Sequence, residues 1–186
     1  MLYGFEDHQG VWLRHTRVHA ASDIVARAQL EIGDHVYVGP FNLLDASGGL
    51  TIGEGVQITS HCVLLTHSSH HALRRAGRRY WGIGNGADAP GFVRAATRIG
   101  DYSFIGPHSV IAPGARVGRG VIVRAFSYVS GVVPDFAIVA GQPARVVGDT
   151  RSLDQPWLVA HPQWRAEYEA WSNGARRDEA VQAPLR

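Results

Sequence analysis

Lysine is missing from this chain of 186 residues; all 18 of its basic side chains are arginine. The codon usage of a GC-rich genome explains that bias without invoking function. Cysteine occurs once, at Cys62, which excludes an internal disulfide and agrees with a reducing compartment. A formal charge of +2 is too small for the basic footprint that nucleic-acid binding requires. No apolar run reaches the length of a membrane span, and the amino terminus lacks a signal-peptide pattern. The expectation is a cytoplasmic protein of one domain, with no membrane insertion and no nucleic-acid partner.

What is present is a beat of six. Residues 99–133 divide into IGDYSF, IGPHSV, IAPGAR, VGRGVI, VRAFSY and VSGVVP. The first position of each is aliphatic: Ile99, Ile105, Ile111, Val117, Val123 and Val129. The fifth is small or aliphatic: Ser103, Ser109, Ala115, Val121, Ser127 and Val133. A short fixed period marks a solenoid, whose units bury their faces only by stacking on one another. A period of six suits a parallel β-helix with three flat sides to the turn. The 22 glycines fit a fold that turns a corner every few residues.

The beat sets the organisation. Residues 1–17 carry Tyr3, Phe5 and Trp12 without a period and read as a lead-in that caps the first coil. Residues 18–148 are the solenoid, with a two-residue slip between Leu30 and Ile32 and an interruption at DASGGL. Within it, residues 66–97 abandon the repeat for THSSHHALRRAGRRYWGIGNGADAPGFVRAAT, an extended loop rich in histidine, arginine and aromatics. Long departures from a compact repeat fold are usually functional or disordered. Cys62 and Asn42 fall at inward positions, as a buried structural thiol and a structural hydrogen-bonding group. In the tail, residues 149–186, Trp164, Tyr168 and Trp171 are spaced for a short capping helix, and residues 173–186 read as a frayed end.

These motifs resemble a known family. The repeats follow the [LIV]-G-x-x-[STAV]-x pattern of the hexapeptide acyltransferases, and IVAGQPARVV resembles their closing signature. HSSHHALR is similar to the H-P-x-H-H-x-x-R stretch of galactoside, maltose and nodulation acetyltransferases, with Ser68 in place of the proline. The resemblance implies an all-β fold, a left-handed parallel β-helix with a protruding loop and a short C-terminal helix. It also implies acetyl-CoA as acyl donor, a carbohydrate acceptor and no metal. A homotrimer with active sites between subunits is the implied assembly. The left hand comes from the resemblance alone, because parallel crossovers are otherwise right-handed.

Acyl transfer to a hydroxyl needs a base, and histidine suits that task near neutral pH. The resemblance makes His67 the catalytic base. It places Phe104, Pro107, Ala125 and Ser130 along the path of the acetyl-CoA arm, with Arg145 at the phosphates. Arg124-Ala125-Phe126 departs from the usual Gly-Ala-Gly, and Gly131 stands where lysine is common. Asp45, His70, His71, Tyr80 and Trp81 are the candidates for binding the sugar. The implied activity is O-acetylation of a sugar in cell-surface polysaccharide or glycolipid synthesis. Three alternatives stay open. One is N-acetylation of a nucleotide-linked amino sugar. Another is a γ-carbonic-anhydrase-like zinc protein using His61, His67 and His108, although no H-G-C-x-I-G stretch is present. The last is a non-catalytic scaffold.

Overall fold

An aliphatic side chain at every sixth residue reaches a common interior only if the backbone turns sharply between short straight runs. In the computed structural model, which describes residues 2–83 and 88–173, the chain does this as a left-handed parallel β-helix with three walls. The first wall stacks Tyr37–Val38, Gln57–Ile58, Phe104–Ile105 and Ile122–Val123. The second stacks Asp23–Val25, Leu43–Asp45, Val63–Leu64, Val110–Ile111 and Tyr128–Val129. The third stacks Leu30–Ile32, Leu50–Ile52, Thr97–Ile99, Arg116–Val117 and Val132–Val133. Strand pairing within each wall is parallel, as in Val38 on Ile58 on Ile105 on Val123.

The repeat positions form the core. Ile105, Ile111, Val123 and Val129 are fully buried, with Ile99 and Val117 nearly so. Burying each such side chain contributes about 1.5–3 kcal/mol relative to leaving it in water. The slip at Leu30 is resolved within one strand: Leu30 and Ile32 both point inward, Glu31 points out, and a 3₁₀ turn at Arg27–Gln29 precedes them. The small polar residues at the fifth position bind one coil to the next. Ser103 donates to the Gly118 carbonyl and Ser109 to that of Arg124. Asn42 is saturated, donating to the carbonyls of Gly39 and Thr59 while accepting the Cys62 N–H. Cys62 itself is buried, and loss of hydration pushes its thiol pKa up.

Positive φ recurs at the corners, and two of the three edges meet that demand differently. Between the second and third walls it is Ala26 in the first coil and glycine in later ones, at Gly49, Gly114 and Gly131. Between the first and second it is Phe41, His61, His108 and Phe126, with φ of 57° to 60°. A side chain in that region costs about 1–3 kcal/mol. The rings offset part of this by stacking from coil to coil, at centroid distances of 5.1, 4.8 and 4.8 Å.

Both ends of the first wall close with antiparallel hairpins. Trp12–Val18 joins the wall beside Tyr37–Val38 and pairs back on Leu2–Glu6, so the lead-in is a hairpin. At the far end Ala137–Gly141 pairs with Ala144–Asp149. The extended loop is more ordered than its sequence suggests. His67–Ser68 pairs with Val93–Arg94, and a helix α1 (His70–Ala76) followed by a 3₁₀ stretch lies between them. The tail holds two helices rather than one: α2 (Arg151–Ala160) and α3 (Arg165–Ser172). Pro156 inside α2 hides it from a helical pattern, because proline lacks the N–H of a helix interior. Trp171 of α3 stacks on Tyr102 at 4.9 Å. The end read as frayed lies outside the described residues beyond Asn173. No helix among the described residues is long and apolar enough to cross a membrane.

Asp34 ties the N-terminal hairpin to the first full coil. Its carboxylate accepts the N–H groups of His15 and His35, the Thr16 hydroxyl and the His15 ring. Burial pushes the Asp34 pKa up, but the His15 ring and the other donors outweigh that and lower it to about 2. A depressed folded-state pKa contributes stability that is complete above the unfolded value of 3.8 and is lost as pH falls toward 2. Asp34→Asn should therefore lower the melting temperature at pH 6 and flatten its fall between about pH 4 and pH 2. Thermal melts of both proteins across that window check this.

Candidate active site

The long loop leaves the solenoid at the corner after Val63–Leu64, and the wall strand below that corner ends in Asp45. Asp45 is 3% exposed, so its charge has to be met locally. One oxygen accepts the Ser47 N–H at 3.1 Å. The other accepts the Thr66 N–H at 3.1 Å, the Thr66 hydroxyl at 3.0 Å and Nδ1 of His67 at 2.7 Å. Burial raises the Asp45 pKa, but the hydroxyl and N–H of Ser47 and of Thr66 together hold it well below the usual carboxylate range.

An ionised carboxylate can only accept, so the contact fixes the proton of a neutral His67 on Nδ1 and leaves the lone pair on Nε2. The Ser47 hydroxyl lies 2.9 Å from the same Nδ1 and pins the ring from a second side. The ring lies parallel to Phe92, tilted by 6° at a centroid distance of 5.7 Å, and 41% of the His67 side chain is exposed. Here is an oriented imidazole with its basic nitrogen free to meet a proton donor.

The structure therefore places Asp45 differently from a sugar-facing carboxylate. It is enclosed behind His67, with both oxygens engaged. His70 starts α1, and its ring meets the Ser68 hydroxyl at 2.6 Å. His71 lies against it, with ring centroids 3.9 Å apart. The charge of His70, loss of hydration, and the charges of Arg75 and Arg74 push the His71 pKa down. Tyr80 and Trp81 pack edge to face in the 3₁₀ stretch, and Trp81 is 80% exposed.

The five residues expected on the acetyl-CoA path divide between regions of the chain. Ser130 lies on the corner that also carries His67, two coils on. Phe104 faces out from the first wall, with Pro107 and Ala125 at the next corner beside His108 and Phe126. Arg145 is exposed in the closing hairpin. His61 and His108 stack on that other corner as well, so one chain does not assemble a metal site from His61, His67 and His108. Elsewhere His15, Asp34 and His35 lie close together. The two imidazoles there are stacked within 10° of parallel, so their in-plane lone pairs do not converge on one ion.

Three neighbours of His67 escape sequence reasoning: Ser47, Phe92 and Arg94. Ser47 follows Asp45 by two residues, a spacing that signals only a turn. Phe92 and Arg94 return to the site through the irregular loop, where no period predicts the return.

The comparisons agree with this architecture. Residues 96–131 match the bacterial transferase hexapeptide model, described as six repeats. A "probable acetyltransferase" of Mycobacterium tuberculosis is 28% identical over 165 residues, covering 82% of this chain and 53% of that protein. Galactoside O-acetyltransferase of Escherichia coli K12 is 30% identical over 131 residues, covering 69% and 58%. The chain thus spans little more than half the length of these curated relatives. A solved hexapeptide-repeat acetyltransferase from Vibrio cholerae, complexed with acetyl coenzyme A, superposes with a TM-score of 0.60 at 25% identity. It covers 72% of this chain and 67% of that one.

The tight corner beneath His67 makes its own prediction. A Cβ at Gly48 would lie 2.6 Å from the Thr66 carbonyl oxygen and 3.1 Å from Cγ of Arg94. Gly48→Ala should destabilise the protein by about 1–3 kcal/mol, the usual cost of overpacking. Gly82→Ala serves as a comparison, because neither a positive φ nor any atom within 4 Å opposes a Cβ there. Urea unfolding of both checks that the larger part of the Gly48 loss is contact.

Proposed function

Because the chain is a hexapeptide-repeat β-helix of the kind bacterial transferases build, we propose that it transfers acetyl from acetyl-CoA to a sugar hydroxyl. His67 is the general base. The observation that carries this assignment is the 2.7 Å contact of Asp45 with Nδ1, which leaves Nε2 unprotonated on an exposed ring. That is what an alcohol nucleophile requires. Asp45 is the positioning residue behind it.

In the reaction, Nε2 takes the proton of the acceptor hydroxyl as its oxygen attacks the thioester carbonyl. The tetrahedral intermediate collapses with cleavage of the C–S bond, and the imidazolium returns its proton to the departing coenzyme A thiolate. The acceptor gains an ester and His67 is restored. A tetrahedral oxyanion needs hydrogen-bond donors, which backbone N–H groups at a coil corner supply.

The donor arm runs past Phe104, Pro107, Ala125 and Ser130, with Arg145 meeting the phosphates through its fork of donors. The division of these residues between two corners of the prism supports a cleft completed by a second chain, as in a homotrimer with sites between subunits. Phe104, Phe126 and Tyr128, exposed on the first and second walls and their shared corner, supply an apolar face for that contact. His70, His71, Tyr80 and Trp81 belong to the loop that would border the acceptor. Acetylation in cell-surface polysaccharide or glycolipid synthesis is the role this chemistry fits.

Coenzyme A release from acetyl-CoA with a panel of free sugars, nucleotide sugars and oligosaccharides tests the assignment. His67→Ala should reduce turnover about 10²–10⁴-fold with coenzyme A affinity nearly unchanged. Asp45→Asn should lower kcat by about 10²-fold or more. Thr66→Val removes a hydroxyl donor to the same carboxylate, and the acceptor of the Gly48 N–H, without touching the ring. It should lose about 1–3 kcal/mol of stability while keeping its rate within about 10-fold. A His67→Ala protein with normal turnover would remove His67 from the chemistry.

A further inference from the structure

Arg94 stands directly across from His67 in the antiparallel pair at the root of the loop, so the two side chains share one face. Its stem lies over Gly48, beside the Ser47 that holds the His67 ring. Its guanidinium is 6.0 Å from the centre of the Phe92 ring, whose plane is parallel to the His67 imidazole. Arg94, Phe92 and His67 thus form one surface, with a fixed cation at one end and the basic nitrogen at the other. Arg94 is exposed, and no carboxylate among the described residues pairs with it.

The surroundings are one-sided in charge. Residues 66–97 contain Arg74, Arg75, Arg78, Arg79 and Arg94 against a single acid, Asp88, while the rest of the chain holds more acidic than basic residues. The positive charge of this protein is therefore gathered at the loop that carries the site. A solvent-exposed helix carrying only cations repels itself, and a bound anion relieves that repulsion. The phosphates of acetyl-CoA do not fill this place in the assignment above. The donor arm extends past coils that each advance about 4.8 Å, and its phosphates meet Arg145 at the far end of the solenoid. The acceptor is what sits beside His67.

Resting on that acetyl-transfer assignment, we propose that Arg94 is a specificity-determining residue, selecting an acceptor that bears an oxyanion next to the hydroxyl to be acylated. A phosphate or a carboxylate would each match the planar fork of the guanidinium with two hydrogen bonds. The arginines of α1 and the 3₁₀ stretch extend the same field outward and draw such an acceptor in.

Coenzyme A release with matched neutral, phosphorylated and uronate forms of one sugar tests this. The anionic members should be used about 10- to 100-fold better in kcat/KM, the worth of charge-assisted hydrogen bonds. Whichever of the two is preferred identifies the oxyanion. Arg94→Gln should erase that preference while the KM for acetyl-CoA stays where it was. Equal use of the neutral sugar, a preference that survives Arg94→Gln, or a loss confined to acetyl-CoA would each overturn the inference.

A second measurement does not depend on turnover. Inorganic phosphate titrated into the ¹⁵N-labelled protein without acetyl-CoA should move the Arg94 side-chain and His67 ring resonances together, and the His67 movement should vanish in Arg94→Gln. Phosphate that leaves them unmoved, or moves His67 equally in the variant, overturns the inference whatever the sugars do. A silent sugar panel with the phosphate response intact upholds the anion site and counts against sugar acetylation.

Discussion

Parallel pairing of each coil on the one beneath it is the constraint from which the rest follows. The register runs unbroken through Leu30, Leu50 and Thr97 on one wall and Leu44, Leu64, Ile111 and Val129 on another. Because identical positions lie above one another, a choice made at a corner is repeated along an edge. One edge is mostly glycine, which takes the positive φ of the turn without strain. Another is a column of Phe and His rings that stack on their neighbours. The difference between edges is therefore a difference in what each can receive.

The loop inserts at the glycine edge without disturbing that register. Leu50–Ile52 still pairs with Thr97–Ile99, although residues 66–97 intervene. At the point of exit the corner cannot be closed by the usual backbone turn, and a buried carboxylate substitutes for it. Asp45 gathers the N–H of Ser47, the N–H and hydroxyl of Thr66, and the His67 ring. The same hydrogen bonds that hold the loop root to the coil orient the imidazole, so structure and chemistry are coupled at this corner. An uncompensated charge at Asp45 would cost several kcal/mol, which keeps the arrangement together without a ligand.

Much of the solenoid is legible in the sequence because its period is short and its interior admits few residue types. Ile99 to Val133 declare the walls, and Asn42 and Cys62 declare inward places. The hairpin at Leu2–Glu6 and Trp12–Val18 has no such beat, and Pro156 conceals α2. At the site, His67 is visible through its surrounding motif, whereas the role of Asp45 is not. A carboxylate at a turn is common for local reasons, and only the fold brings Thr66 and His67 over it. Phe92 and Arg94 are invisible for a related reason. They reach His67 through an antiparallel pair that closes an irregular loop, and no local pattern specifies that pairing.

The central claim is that Asp45 keeps the proton of His67 on Nδ1 and the lone pair on Nε2. Two-bond ¹H–¹⁵N correlation of the His67 ring, at a pH where it is neutral, measures this directly. The account predicts the Nδ1–H form in the native protein and loss of that form in Asp45→Asn. A native His67 protonated on Nε2 would contradict it, because the nitrogen facing the acceptor would then have no lone pair with which to act as a base.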